Sequence, residues 1–330
     1  MAATNGIDRP RVAILVGPTG VGKSNLAIGL AEAFGGEVVS ADSMQVYRHM
    51  DIGTAKPTID EQRRVRHHLI DIVTPDQPFH AGLYQRLGRQ TIDQLYRSGK
   101  PIWVVGGTGL YVKTLTQGIF DSPKIDPSVR EMLKQEAKEK GEDSLYQRLK
   151  RVDLKTATCL HPRDLFRTIR ALEVFDSTGI PISFFREQHR FGERPYQTLK
   201  IGIEMDRMAL YHRIEERVDQ MIKRGFLQEV RGLMEMGYGA ELKPMQSLGY
   251  KQMVQFVSKE IGWTEAVTQM KRDTRHYAKR QWTWFKADTE IHWWNETADR
   301  QRIFEEVTSF LGRGGVTPLE GRGPVRNKSP

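Results

Sequence analysis

The chain has 330 residues, enough for one large domain or two, and a formal net charge of +9. This charge favours an acidic partner, such as nucleic acid or a phosphorylated small molecule, but basicity alone leaves the question open. The single cysteine, Cys159, excludes an internal disulfide and a cysteine metal cluster. No apolar run approaches the length of a membrane span, and Met1–Pro10 lacks an apolar signal core. We therefore expect a cytoplasmic enzyme with no membrane partner.

Strand and helix patterns alternate through the first third of the chain. Strands are predicted at Val12–Val16, Glu37–Ser40, His68–Val73 and Pro101–Val105. Helices are predicted at Asn25–Phe34, at about His80–Ser98 and from Gly109. This alternation predicts an α/β fold, with a parallel sheet flanked by helices and ligands bound beyond the carboxyl ends of its strands.

The pattern changes after Asp121. Charged helical segments are predicted from Pro123 to about Lys155 and at Arg163–Thr178, followed by a loop at Phe184–Gln197. A strand at Leu199–Glu204 precedes four helices: Met208–Lys223 capped by Asp206, Phe226–Met236, Met245–Lys259 and Thr264 to about Lys286. The chain is predicted to end with a strand at Glu290–Trp294 and a helix at Asp299–Leu311. We predict a discontinuous core domain of residues 11–122 and 198–311, a mostly helical insertion of residues 123–197, and a disordered tail of residues 312–330.

The strongest motif lies between the first predicted strand and the first predicted helix. It matches the phosphate-binding pattern G-x-x-x-x-G-K-[ST] at Gly17, Pro18, Thr19, Gly20, Val21, Gly22, Lys23 and Ser24. Glycines let backbone N–H groups face an anion, and the helix N-terminus adds partial positive charge. Lys23 would reach a terminal phosphate, and the Ser24 hydroxyl would hold a magnesium ion. A plain glycine-rich turn is the alternative, but the flanking elements favour a bound polyphosphate, whether or not a phosphoryl group is transferred.

Two further segments follow strands that should end at the same edge of the sheet. Asp42 comes after the strand at Glu37–Ser40, and its carboxylate could bind magnesium, cap a turn or act as a general base. Thr108 lies in the glycine-rich turn after the strand ending at Val105, as a helix cap or as part of a ligand surface. We expect both residues to lie beside the phosphate loop.

Two helical segments are rich in cations. Arg167 and Arg170 share one helix face, which is either a solvated basic face or a binding site for phosphate oxygens. In the run Lys279–Lys286, cations flank large aromatic residues, a combination that suits an RNA loop. A surface helix with one core face and one solvent face explains part of this pattern, but it does not explain why so many cations and large aromatic residues stand close together in this run.

These observations leave two rival functions open. A small-molecule or nucleoside kinase would share the phosphate loop and the parallel sheet. However, no Asp follows Val105, where many nucleotide hydrolases keep a carboxylate that orients magnesium. An RNA-binding protein without chemistry would leave Asp42 and Thr108 without a role. The histidines show no metal-ligand spacing, and no nucleophile triad is evident.

Taken together, the motifs resemble those of the bacterial tRNA dimethylallyltransferase family. The shared stretches are GPTGVGKS at Gly17–Ser24, ADSMQVYR and DIGTAKP within Ala41–Pro57, GGTGLY at Gly106–Tyr111, DLFRTIRALEVF at Asp164–Phe175, GIEMDR at Gly202–Arg207 and YAKRQWTWF at Tyr277–Phe285. The resemblance runs from about Val12 to Leu311 and leaves out the tail.

The resemblance implies a P-loop NTPase-like core and a prenyl transfer reaction. The donor would be dimethylallyl diphosphate, and the acceptor would be the exocyclic amino nitrogen of the adenosine immediately 3′ of the anticodon. Pyrophosphate would leave, and the adenosine would be flipped out of its stack. The implied partners are a tRNA anticodon stem-loop, dimethylallyl diphosphate and Mg²⁺, and we expect a monomer.

The resemblance also implies roles for individual residues. Asp42 matches the general base, Arg130 matches a position that acts on the transition state with Lys23 and the Ser24-bound magnesium, and Thr19 and Thr108 match positions lining the adenosine pocket. The positions implied to touch tRNA are Asp42, Ser43, Met44, Gln45, Phe166, Arg167, Thr168, Ile169, Arg170, Lys279, Arg280, Gln281, Trp282, Thr283, Trp284, Phe285 and Lys286. The helical insertion would close over the anticodon stem, and whether Trp282 stacks on RNA or packs inside is left open.

Overall fold

The computed structural model describes residues 9–120 and 126–312. Its strands form one six-stranded sheet in the order β3-β2-β4-β1-β5-β6, and every neighbouring pair is parallel. The strands are β1 (Arg11–Val16), β2 (Glu37–Ser40), β3 (His67–His68), β4 (Ile102–Val105), β5 (Gln197–Glu204) and β6 (Ile291–Asn295). The predicted α/β class is confirmed.

Helices account for most of the remaining described residues. They are α1 (Lys23–Phe34), α2 (Ile59–Arg64), α3 (Ala81–Arg97), α4 (Gly109–Gln117), α5 (Pro127–Lys140), α6 (Glu142–Val152), α7 (Leu154–Thr158), α8 (Leu165–Thr178), α9 (Ile182–His189), α10 (Arg207–Lys223), α11 (Phe226–Glu235), α12 (Tyr250–Val257), α13 (Trp263–Lys286) and α14 (Arg300–Leu311). No helix in residues 9–120 or 126–312 has both the length and the apolar character that a membrane span needs.

The central strands are apolar because both faces of the sheet are covered. In β1, Val12, Ile14 and Val16 pack into one hydrophobic cluster, while Ala13 and Leu15 pack into the cluster on the other face. β2 and β4 are buried along their whole length. A parallel sheet covered by helices on both faces requires such continuous apolar runs, which is why these strands were evident in the sequence.

The predicted strand at His68–Val73 is wrong beyond its first residue. β3 spans His67–His68, and the backbone then takes positive φ angles at Leu69 (61°) and Asp71 (55°). Such angles interrupt an extended strand, and Val73 returns to make one isolated bridge with Tyr47.

Two other predicted boundaries were wrong. The predicted loop at Phe184–Gln197 contains most of α9, which begins after Pro181 and ends at His189, just before Arg190, where φ is positive. Phe185 on this helix packs against the hydrophobic cluster of its unit, so burial rather than local pattern explains the helix. α12 is also shorter than predicted, because Gly249, with a φ of 87°, directly precedes its first residue.

The chain divides into two compact units. The first contains the described residues up to Thr116 and from Pro195 onward, and the second is Gln117–Arg194. The second unit has its own apolar core, built around Leu133, Leu145, Leu149 and Leu172. The boundaries at 122/123 and 197/198 stay a prediction. The predicted disordered tail, apart from its first residue Gly312, lies outside the described residues.

Candidate active site

In the first unit, the carboxyl ends of β1, β2 and β4 open onto a cleft of about 750 Å³. The segments after these strands, which carry the phosphate loop, Asp42 and the Gly106–Gly107 turn, line its walls. α10 and α13 line another part of the cleft, with residues that include Arg217, Tyr277 and Gln281. The structure therefore brings together, in one cavity, segments that are far apart in the sequence.

The phosphate loop depends on glycine at three positions. Gly17, Gly20 and Gly22 have φ angles of 144°, 84° and 109°. A side chain at Gly17 would also collide with the backbone carbonyl of Ile203. α1 begins at Lys23, within the last residues of the phosphate-binding motif, and no side chain caps its N-terminus. Its first N–H groups are therefore free to bind an anion.

Lys23 lies in the cleft with its amino group folded back onto the loop. The Nζ atom donates a hydrogen bond to the Pro18 carbonyl at 2.7 Å. Burial of the amino group and the neighbouring Arg217 guanidinium lower the pKa of Lys23 to about 7, with Asp42 acting in the opposite direction. The charge on Lys23 therefore depends on pH in the neutral range.

Arg217 is a cleft residue that sequence reasoning missed. It lies on α10, lines the cavity and makes no hydrogen bond or ion pair with other described residues. Burial lowers its pKa and Asp42 raises it, but a guanidinium stays protonated at neutral pH. An unpaired cation beside Lys23 adds positive charge to the cleft for an anionic ligand. The helix was predicted, but no local motif distinguishes this arginine from its neighbours.

The Asp42 carboxylate has two different oxygens. Its Oδ1 accepts hydrogen bonds from the backbone N–H groups of Met44 (2.8 Å) and Gln45 (3.3 Å), which forms a local turn. Its Oδ2 accepts no hydrogen bond from the described residues. The turn-capping role weighed in the sequence is thus present, and it leaves one oxygen available toward the cleft.

Thr108 ties the end of β4 to the segment after β2. Its Oγ1 accepts a hydrogen bond from the Ser43 N–H at 3.0 Å and donates to the Ser43 hydroxyl at 3.3 Å. Its own N–H donates to the Ala41 carbonyl at 3.1 Å. Gly106 packs so closely on Ala41 that a side chain there would collide with the Ala41 backbone. These contacts fix Thr108 beside the Asp42 turn.

Met44 and Gln45, two further predicted tRNA contacts, are half-buried. Gln45 accepts a hydrogen bond from the Ser40 hydroxyl at 3.1 Å and donates to the Ala55 carbonyl at 3.3 Å. Both residues line the cleft.

The inward face of α13 reaches the same part of the cleft. Gln281 is 7% exposed; its Oε1 accepts a hydrogen bond from the Thr19 N–H at 2.8 Å, and its Nε2 donates to the Gly107 carbonyl at 2.9 Å. One turn earlier, burial and Asp42 raise the pKa of Tyr277 to about 12, against smaller opposing effects of Arg280 and of hydrogen bonds with Thr108 and Gln281. Gln281 was predicted to touch tRNA, and the structure buries it against the phosphate loop.

The other residues of the Lys279–Lys286 run differ in exposure. Phe285 is buried, whereas Lys279, Arg280, Thr283 and Lys286 are exposed. Trp284 is 46% exposed and lies against Gly109. Trp282 packs on Trp293, with ring centroids 5.1 Å apart, and the Lys286 Nζ lies over both rings. Trp282 is half-buried against Trp293, and its contact with tRNA stays a prediction.

In the second unit, the predicted site residues form a small cluster of their own. Arg130 makes a bidentate ion pair with the buried Glu173, at 2.7 and 2.8 Å, and Arg170 approaches the same carboxylate at 3.3 Å. Phe166 is 70% exposed, and the Arg130 guanidinium lies 6.0 Å from its ring centroid. Arg167 is exposed and pairs with Asp164. Thr168 and Ile169, which were predicted to touch tRNA, are buried.

One residue of the cleft suits a hard divalent cation. Ser24 is exposed and its hydroxyl has no hydrogen-bond partner among the described residues. Within residues 9–120 and 126–312, no group of three or more His, Cys, Asp or Glu side chains could hold a metal. A single serine hydroxyl can serve a hard divalent cation that takes most of its other ligands from water and substrate phosphates.

Comparison with known proteins identifies the family of this chain. The IPP transferase family model matches residues 45–288. The chain belongs to the IPP transferase family. The "tRNA dimethylallyltransferase 2" of Syntrophus aciditrophicus is 50% identical to it over 94% of this chain and 98% of that protein. The family predicted from the sequence motifs is confirmed.

Solved structures of IPP transferase relatives have the same fold. The tRNA isopentenylpyrophosphate transferase of Bacillus halodurans matches with a TM-score of 0.69 and 36% identity, covering 92% of this chain and 97% of that one. A eukaryotic dimethylallyltransferase acting on tRNA matches with a TM-score of 0.79 and 28% identity, covering 96% of this chain and 82% of that one. Relatives with these names favour a prenyl transferase over the kinase alternative.

Proposed function

We propose that this protein transfers a dimethylallyl group from dimethylallyl diphosphate to the exocyclic amino nitrogen of an adenosine in tRNA, next to the anticodon on its 3′ side. The observation that carries the proposal is a single cleft. In it, a phosphate loop and two cations face a carboxylate that keeps one oxygen free of hydrogen bonds with the described residues. Membership of the IPP transferase family supports the choice of donor, and the names of the relatives support tRNA as the acceptor.

The donor half of the site binds the diphosphate. The N–H groups at the start of α1 supply hydrogen bonds, and Lys23 and Arg217 supply positive charge. When the donor's carbon–oxygen bond breaks, negative charge grows on the leaving diphosphate, and these groups stabilise that charge. Ser24 would hold Mg²⁺, which when bound supplies further charge neutralisation to the diphosphate.

The acceptor half of the site prepares the adenine. The amino group of adenine is a weak nucleophile, since its lone pair is delocalised into the ring. We propose that Asp42 Oδ2 takes a proton from this nitrogen as the new nitrogen–carbon bond forms, which leaves the product neutral. The two backbone N–H groups on Oδ1 hold the carboxylate in one orientation. Thr108, held by Ser43, and Thr19 line the pocket that receives the flipped adenosine.

The RNA would reach the cleft along the outer face of α13. Lys279, Arg280, Thr283, Trp284 and Lys286 are exposed there, and the buried Gln281 and Phe285 are left out of this proposed interface. Cations bind the RNA backbone, and an exposed indole offers a surface for a base to stack on. In the second unit we propose RNA contacts for Phe166, Arg167 and Arg170, and a transition-state role for Arg130.

A two-substrate assay separates this function from its rival. Purified protein is mixed with Mg²⁺ and either dimethylallyl diphosphate plus an anticodon stem-loop, with pyrophosphate release as the readout, or ATP plus small-molecule acceptors, with ADP release as the readout. RNA-dependent release from the prenyl donor alone is the expected result. ATP turnover that depends on a small acceptor, without release from the prenyl donor, would instead establish a kinase.

A further inference from the structure

The side chain of Gln281 joins the phosphate loop, in which Thr19 borders the proposed adenosine pocket, to the turn after β4. It accepts a hydrogen bond from Thr19 in the phosphate loop and donates one to Gly107 in the turn after β4. In the function proposed above, the phosphate loop binds the donor, and the turn that contains Gly107 leads directly to Thr108 on the acceptor side. A primary amide suits this position because it carries both an acceptor and donors.

We propose that Gln281 is a positioning residue for the transfer step and does not contact RNA. This inference rests on the proposed function. Gln281 holds the donor loop and the acceptor-side turn at a fixed separation. It has little surface to offer to RNA, being 7% exposed, and both ends of its amide are already bonded within the protein.

The helix that carries Gln281 is firmly anchored. α13 buries Met270, Thr274, Ala278 and Phe285. It is also tied to α10 by an ion pair between Arg275 and Glu215 and by another between Lys271 and Asp219, the latter at 2.7 Å. A side chain on a rigid helix can set the separation of two loop segments more precisely than a residue on a loop.

The hydrogen bond between Gln281 and the Thr19 N–H determines which kinetic constant should change when Gln281 is replaced. The Thr19 N–H is occupied by Gln281, so the diphosphate is bound by the later N–H groups of the loop and by the cations. Removing Gln281 therefore leaves donor affinity nearly unchanged. The transfer rate depends strongly on the alignment of the reacting atoms, and a displacement of about 1 Å can lower a rate by about a hundredfold.

The first test replaces Gln281 with Met, which has a similar size but no amide. For Gln281→Met we expect kcat to fall roughly 10- to 100-fold while KM for the donor and Kd for the stem-loop stay within about twofold of wild type. The matched control is Gln252→Met. Gln252 is 4% exposed and also makes two amide hydrogen bonds, with Gly249 and Asp273, but it contacts neither Thr19 nor Gly107.

The control separates positioning from general stability. Both variants should lose a similar amount of thermal stability, and only Gln281→Met should lose kcat. An unchanged kcat with weaker RNA binding in Gln281→Met would overturn the proposal, and so would an equal loss of kcat in both variants. A wild-type protein that releases no pyrophosphate from the prenyl donor would refute the proposed function itself, which distinguishes the two failures.

The second test measures how the transfer rate of a Gln281→Glu variant depends on pH. In Gln281→Glu, a protonated carboxyl can still accept from Thr19 and donate to Gly107, but an ionised one faces the Gly107 carbonyl without a proton to donate. The titratable group beside position 281 is Tyr277, itself affected by Asp42 and Arg280, and Tyr277 stays neutral throughout the range because its pKa is about 12. Burial raises the pKa of the introduced carboxyl.

The ratio of the Gln281→Glu rate to the wild-type rate should therefore rise several-fold as pH falls from about 8 to about 5.5. Titrations that both proteins share, including those of Asp42 and Lys23, cancel in this ratio. A ratio independent of pH would contradict the proposal, even if Gln281→Met failed to fold.

Discussion

The phosphate loop and helix α13 meet in the same cleft but are built in different ways. The loop binds through backbone N–H groups, and its requirements are glycines at positive φ and a helix directly after it. α13 acts through side chains that point in two directions, with Gln281 inward and Lys279 and Trp284 outward. A site built from backbone N–H groups leaves a local motif in the sequence. The roles of the two faces of a helix such as α13 become clear only when the residues packed against each face are known.

The largest effect on the transfer rate is expected from replacing Asp42, which faces both the phosphate loop and α13. Asp42→Ala should lower the transfer rate by about a thousandfold, since positioned general bases contribute about 10²–10⁴. RNA binding should change little. Single-turnover kinetics with saturating donor and RNA measure this step.

Asp42→Asn is the matched control, because the amide oxygen can still accept from the Met44 and Gln45 N–H groups. We expect it to be as slow as Asp42→Ala but closer to wild type in thermal stability. Near-normal transfer by Asp42→Asn would mean that Asp42 only caps its turn.

The second largest effect is expected on donor binding in the cleft. Arg217→Ala removes an unpaired cation and should raise KM for the donor by roughly 10- to 100-fold, the equivalent of losing one charge-assisted hydrogen bond. Lys223→Ala on the same helix removes an equal charge from an exposed position outside the cleft wall, and should leave KM nearly unchanged. Equal shifts in both variants would indicate a long-range charge effect instead.

The pH dependence of donor binding should follow Lys23. Burial and Arg217 lower the pKa of this amino group to about 7, so it is charged below that pH and neutral above it. Because the donor is an anion, its KM should rise as pH increases through about 7, by up to tenfold per unit. Steady-state kinetics across this range measure the effect.

An arginine at position 23 stays charged throughout this pH range. Lys23→Arg should therefore remove the rise in donor KM near pH 7. Ionisation of the donor is common to both proteins and does not affect the comparison. The same inflection in Lys23→Arg would assign the titration to another group.

The smallest effect is expected on the outer face of α13. Lys279→Ala should weaken stem-loop binding a few-fold and reduce the slope of log K against log salt by about 0.7–0.9, since one phosphate contact is lost. Donor KM should not change. Arg97→Ala is the control, because this exposed cation ends α3 just before β4 begins, at the opposite edge of the sheet. A raised donor KM in Lys279→Ala would assign this face to the donor site.

The sequence predicted those features that depend on local order. The glycines and Lys23 of the loop, and the placement of Asp42 and Thr108 after buried strands, follow from motifs and from the geometry of a parallel sheet. Arg217 and the inward role of Gln281 could not be predicted, because their neighbours in the cleft lie far away in the sequence. The length of the third strand was also overestimated. The positive φ angles at Leu69 and Asp71, which end the strand, could not be recognised from the types of residue at these positions.

The central claim is that the phosphate loop and Asp42 act together on one adenine amino group. The most direct test is mass spectrometry of an anticodon stem-loop after incubation with the protein, Mg²⁺ and dimethylallyl diphosphate, with Asp42→Asn in parallel. We predict that wild type adds one dimethylallyl group, in exchange for one hydrogen, to the adenosine 3′ of the anticodon, and that the variant adds almost none. An RNA of unchanged mass with the wild-type protein, or an equal gain with Asp42→Asn, would contradict the account.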